Sequence, residues 1–170
     1  MLEVSVESVR MSLMSPHRVI VLKEVDEERY LPIWIGPYEA DAIAIELQGM
    51  ETPRPLSHDL LKQAILTLGG RVSHVVVHGL RNDTFFASVV LDQGGQELEL
   101  DARPSDSIAL AVRTKAKIFV DSAVMAQAGM KKEEDLRQQM QRQRDTEDLE
   151  VFREFLEELD LNTVEGEEDT

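Results

Sequence analysis

The chain contains no cysteine. That excludes disulfides, thiolate metal sites and a cysteine nucleophile, and it fits a reducing compartment. Aromatic residues are only 5% of the chain, so Val, Ile, Leu and Ala must fill most of any core. No segment approaches the roughly 18 consecutive apolar residues of a membrane helix. The opening MLEVSVESVR alternates and carries two glutamates, without the basic start and continuous apolar run of a secretory signal. The expectation is a soluble cytoplasmic protein with no membrane segment. HExxH, P-loop and GxGxxG patterns are all missing. Basic residues are scarce as well, with 18 Lys and Arg against 33 Asp and Glu and a net charge of −15. Because phosphate binding draws its affinity from Lys and Arg displacing counterions, non-specific nucleic-acid binding is disfavoured. A nucleic-acid function would need a local basic surface, a metal ion or an assembly that concentrates the arginines.

What is present suits one domain of ordinary size. The chain has 170 residues, 42% of them hydrophobic, enough for a real core. The charge is uneven: residues 1–130 hold 12 basic and 18 acidic side chains, residues 131–170 hold 6 and 15. Leu2, Val4 and Val6 alternate with polar residues, the pattern of a half-buried strand. Arg18–Val25 and Arg29–Ile35 are further apolar runs around an acidic turn and predict a hairpin, with Pro32 pointing to an edge or a bulge. Gly36-Pro37 starts a helix with Ala40, Ile43, Ala44 and Leu47 on its inner face, ended by Gly49. A second helix is expected to bury Leu60, Leu61, Ala64, Ile65 and Leu68. Val72–His78, Thr84–Leu91 and Glu97–Leu100 read as an antiparallel meander. A third helix turns Ile108, Ala109, Ala111 and Val112 inward, followed by a short strand at Ile118–Val120 and a helical turn ending at Gly129. Residues 131–148 read as a charged linker or mobile loop. Residues 149–162 read as an amphipathic helix, with Leu149, Phe152, Leu156 and Leu159 on one side, suited to docking on the domain or on another subunit. Residues 163–170 read as a disordered acidic tail.

Two helix starts share a motif. Arg54-Pro55-Leu56-Ser57-His58-Asp59 precedes one helix and Arg103-Pro104-Ser105-Asp106 precedes another. Much of this is helix-starting chemistry: serine is a preferred N-cap, an early aspartate favours the dipole, and proline directs the incoming chain. Capping leaves Arg54, Arg103 and His58 unexplained. Arginine pairs with carboxylates or grips a phosphate with two parallel donors, and a helix N-terminus is itself an anion site. His58 is either a general base or a loop histidine bonded to a carbonyl. His74 and His78 share a strand face but are ~13 Å apart, so they cannot chelate one metal by themselves and read as structural.

The segments LPIWIGPYEADAIAIELQGM, PRPLSHDLL and ARPSDSIALAVR, in this order and spacing, resemble the bifunctional nuclease (BFN) domain family. The resemblance covers roughly residues 1–130. It implies an α+β fold: one compact domain with a mixed, largely antiparallel sheet and packed helices, followed by the C-terminal amphipathic helix. It also implies a homo-oligomer and nuclease activity on DNA and RNA. On the matching motifs it places His58, Arg54, Arg103, Asp59 and Asp106 as catalytic residues and Ser57 and Ser105 as substrate contacts. Glu39, Asp59 and Asp106 are the candidate ligands for Mg²⁺ or Mn²⁺. The rival expectations are a nucleotide- or anion-binding regulatory module without turnover, and a purely structural use of the arginines in ion pairs across the domain.

Overall fold

A computed structural model describes residues 1–11 and 18–131. The segments predicted as linker, C-terminal helix and acidic tail lie outside the described residues. Met1–Lys132 forms one compact unit. Its strands are β1 (Leu2–Met11), β2 (Arg18–Glu24), β3 (Tyr30–Ile35), β4 (Arg71–Arg81), β5 (Thr84–Gln93), β6 (Gln96–Ala102) and β7 (Lys117–Val120). Its helices are α1 (Pro37–Leu47), α2 (Ser57–Thr67), α3 (Pro104–Thr114) and α4 (Ser122–Ala128).

The strands form one sheet in the order β3-β2-β1-β7-β4-β5-β6. Every pairing is antiparallel except β4 with β7. The β2–β3 hairpin and the β4–β5–β6 meander form as the turn chemistry predicts. Pro32 sits in β3, an edge strand, where its missing N–H costs little. At the β4–β5 turn, Asn82 and Asp83 take left-handed backbone angles (φ 47° and 58°), the geometry whose twist matches a two-residue hairpin. The short run Ile118–Val120 becomes a central strand. It joins the two antiparallel halves, pairing β1 on one side and β4 on the other.

The core lies between one face of the sheet and the helices. Val4, Ile20, Leu22, Leu31, Val75, Val77, Ala87 and Val89 project into it from the sheet. Helix α3 is buried nearly all round, through Ile108, Ala109, Leu110 and Ala111. Small residues at α3 allow α1 and α2 to approach it closely. The inner faces expected of α1 and α2 need correction. Leu47 is exposed on α1, and Ala42 is buried there together with Ala40 and Ile43. On α2 only Ile65 is buried, whereas Leu60, Leu61 and Leu68 are exposed and Ala64 is too. The reason is that α2 meets the domain through one narrow edge, and polar groups anchor that edge.

The main anchor is Arg113, whose side chain is 2% exposed. Its Nε donates to Asp59 Oδ1 on α2 at 2.7 Å, its Nη1 to the Ala109 carbonyl on α3 at 2.9 Å, and its Nη2 to the Ala42 carbonyl on α1 at 2.9 Å. One buried cation thus links three helices. Lys62 reinforces the joint by donating from Nζ to the Arg113 carbonyl at 2.8 Å. Removing one partner of a buried ion pair costs roughly 3–5 kcal/mol, and partial solvation of Asp59 reduces that. Asp59→Asn is therefore expected to destabilise the domain by about 2 kcal/mol, measured by urea denaturation, while Arg54→Ala leaves stability unchanged.

Candidate active site

Helices α1, α2 and α3 present their N-termini to one cleft of about 390 Å³. Tyr38, Glu39 and Asp41 line it from α1, Ser57 and His58 from α2, and Arg103 and Asp106 from the start of α3. The N-caps are Gly36, Leu56 and Arg103, and none makes a side-chain cap bond. Ser57 and Ser105 therefore lie inside the first turn, one and two positions past where a capping serine belongs. The capping work passes to the third helical residue of α2, where Asp59 Oδ2 accepts from the Leu56 N–H at 2.8 Å. Glu39, Asp59 and Asp106 all occupy this third position, each in a different helix. A carboxylate there complements the positive end of the helix dipole.

Four of the sequence-predicted residues form a connected chain across the cleft. Arg103 Nη2 reaches Glu39 Oε1 at 2.8 Å, and its Nε and Nη2 donate to Asp106 at 2.7 and 3.2 Å. Asp106 Oδ1 lies 3.1 Å from His58 Nε2. Burial opposes ionisation of Asp106 more than any other single factor. The hydrogen bonds from Arg103 and His58 nevertheless hold its pKa below the ordinary aspartate value. Bonding to Asp106, with Glu39 in support, raises the Arg103 pKa further above its usual value. An ionised Asp106 accepts only, so His58 Nε2 carries the proton and donates to it. A ring with its proton on Nε2 has its lone pair on Nδ1. The Arg103 side chain stays 66% exposed despite its two partners, which leaves guanidinium surface available to a ligand.

The other predicted residues sit elsewhere. Arg54 is exposed and does not line the cleft. Ser105 is buried and lines a neighbouring pocket. Asp59 faces Arg113. Burial is again the largest opposing factor at Asp59, and the Leu56 N–H and Arg113 together outweigh it and lower its pKa. The expected metal set is thus not assembled: Asp59 is committed to Arg113, and Arg103 fills the space between Glu39 and Asp106. Among the described residues no group of three or more His, Asp or Glu side chains is arranged to hold a metal ion. Sequence reasoning also missed Arg113, Tyr38 and Asp41. A lone basic residue at the end of an apolar helix gives no signal of its partners, and Tyr38 and Asp41 carry no signal beyond that of ordinary residues near a helix start.

The profile described as Bifunctional nuclease domain matches residues 20–133. The chain belongs to the bifunctional nuclease domain family. It is 40% identical to an uncharacterized protein of Mycobacterium tuberculosis over 91% of this chain and 92% of that protein. Bifunctional nuclease 1 of Oryza sativa subsp. japonica is 30% identical over 69% of this chain and 37% of its own length. Bifunctional nuclease 2 of Arabidopsis thaliana is 29% identical over the same shares. The family match spans all three helix starts that build the cleft. No helix among the described residues is long and apolar enough to cross a membrane.

The acid response follows from three lowered aspartates: Asp59, Asp106 and also Asp92, which is held down by its hydrogen bonds from Arg71 and the Gly95 N–H. A carboxyl whose folded pKa lies below its unfolded value of about 3.9 stabilises the fold fully above that value. The contribution is lost as pH falls through the lower, folded value. Melting temperature is expected to hold down to about pH 4 and then drop, and Asp106→Asn should flatten part of that drop. A pH series of thermal melts reads both.

Proposed function

We propose that the cleft hydrolyses phosphodiester bonds of nucleic acid. The observation that carries this reading is the Glu39–Arg103–Asp106–His58 chain at the meeting point of three helix N-termini. Each N-terminus contributes a partial positive charge of about half a unit, and together they favour an anion in a cleft that carries acidic side chains. Arg103 would hold the nonbridging phosphate oxygens and stabilise the charge that grows on them. Asp106 fixes the His58 tautomer. His58 Nδ1 would take a proton from water as the water oxygen bonds to phosphorus. The bond to the leaving oxygen breaks, and that oxygen takes a proton from the imidazolium or from solvent. Glu39 orients Arg103 from the other side. No step depends on a metal ion, and Mg²⁺, Mn²⁺ and EDTA are therefore arms of the assay.

Labelled single- and double-stranded DNA and RNA test the reading. His58→Ala is expected to lower kcat by about 10²–10⁴-fold, and Arg103→Ala by about 10²–10³-fold. Arg54→Ala is expected to retain most of it. Equal activity in all three variants would overturn the assignment. A second reading is a binding module that takes a nucleotide without turnover. It is favoured by Glu39 and Asp106 already engaging Arg103 and by Asp41 adding a third carboxylate to the cleft. Saturable thermal stabilisation by nucleotides without hydrolysis would select it. The exposed leucines of α2 support self-association, which light scattering of wild type against Leu60→Ser/Leu68→Ser reads as a loss of the oligomer.

A further inference from the structure

Arg103 lines a second pocket as well as the cleft. This pocket, of about 270 Å³, lies among the end of β3, the β4–β5 turn and the start of α3. Its apolar wall includes Trp34, Phe85 and Pro104, and its polar lining includes Asp83, Thr84 and Ser105. In a chain with so few aromatic residues, the only tryptophan and a phenylalanine line the same small cavity. The Asn82-Asp83 turn holds its left-handed geometry and so sets the rim. Phe85 is packed against the hydrophobic core, which fixes the wall beneath it.

From this juxtaposition we infer that the pocket is a nucleobase subsite and that the cleft acts on single-stranded nucleic acid. The inference rests on the phosphodiester reading above. A phosphate on Arg103 puts the attached nucleotide's base within reach of the adjoining cavity. The chemistry of the two spaces divides the ligand: Arg103 attracts the anionic phosphate, whereas Asp83 repels phosphate and accepts hydrogen bonds from a neutral base edge. Aromatic walls suit the flat face of a base, and such stacking is worth roughly 1–3 kcal/mol per base with little sequence preference. The pocket, of about 270 Å³, has room for a base. A base in a duplex would have to leave its stack to enter, at a cost of a few kcal/mol. An unpaired strand avoids that cost. The subsite thus sets strand preference, and the arginine–histidine chain performs the chemistry.

Trp34 provides the readout. Pentadeoxyadenylate is expected to change Trp34 fluorescence saturably. A pentamer of equal charge with abasic sugars is expected to bind about tenfold more weakly and to leave the emission unchanged, in line with the loss of one stacking contact. Thr84→Phe, a change at an exposed position that fills the cavity, should reduce pentadeoxyadenylate binding to the abasic level with an unchanged melting temperature. Hydrolysis of the base-free diester methyl p-nitrophenyl phosphate is measured in wild type and in His58→Ala. Equal binding of the two pentamers, or full pentadeoxyadenylate affinity in Thr84→Phe, overturns the subsite. If the base-free diester is cleaved in a His58-dependent way and the two pentamers bind alike, the subsite fails and the phosphodiesterase reading stands. If the base effect appears and neither substrate is cleaved, the subsite stands and the catalytic reading fails.

Discussion

The buried guanidinium of Arg113 is the constraint on which the rest depends. It is at the end of the most buried helix and donates into α1, into α2 and back into its own α3. A guanidinium suits this role because it is planar and rigid, with five donors in a fixed fork. Once its position is set by the packing of α3, the other two helices have little freedom to slide or rotate. Their starts are then held beside the start of α3, and the cleft follows. Desolvating one cation is costly, and the Asp59 carboxylate together with two carbonyls offsets that cost. Asp59 is therefore conformational in its role, although its motif makes it look chemical.

The same constraint explains how a site forms from residues that each have a plain structural explanation. Early carboxylates are ordinary helix-start residues, and Glu39, Asp59 and Asp106 repeat one solution at one position in three helices. Convergence gives two of them a second task, and Arg103 becomes their shared partner. Gly36 contributes by its lack of a side chain: a Cβ there would collide with the Glu39 carboxylate. The glycine thus lets Glu39 fold back over its own helix start toward Arg103. A larger residue would push a flexible carboxylate aside with little effect on folding, but it would remove one support of the arginine.

Much of this was legible in the sequence, in proportion to how local each signal was. The hairpin, the meander, Pro32 on an edge strand and Gly36-Pro37 as a helix start all depend on neighbouring residues, and each is found as expected. Capping could not account for His58 and Arg103, and the family resemblance pointed to Glu39 and Asp106; the fold brings these four side chains to one cleft. What could not be read was direction. Leu60, Leu61 and Leu68 have helical spacing, but spacing does not say that α2 rests on an edge with its leucine-bearing surface outward. Asp59 and Asp106 look alike in sequence, and only tertiary packing sends one to Arg113 and the other to His58. That Arg54 does not line the cleft is likewise a property of the packed domain.

The acidic balance of the chain is compatible with a polyanionic substrate because electrostatics at the cleft is local. At physiological ionic strength the Debye length is about 8 Å, so solvent-exposed carboxylates farther away are largely screened. On the proposed reading a phosphate would meet Arg103 and three helix N-termini at short range. The nearby carboxylates are partly spent: Asp106 is shared between Arg103 and His58, and Glu39 is engaged by Arg103. Such a site gains little from non-specific attraction and must obtain affinity from fit. That condition favours a short contact with one or two phosphates, supplemented by an uncharged contact such as a base in an aromatic pocket. It also predicts a weak dependence of affinity on salt, because few counterions are released when few phosphates are neutralised. On the proposed reading scarce basic residues would limit the protein to local recognition, and the three helix starts would supply the locality.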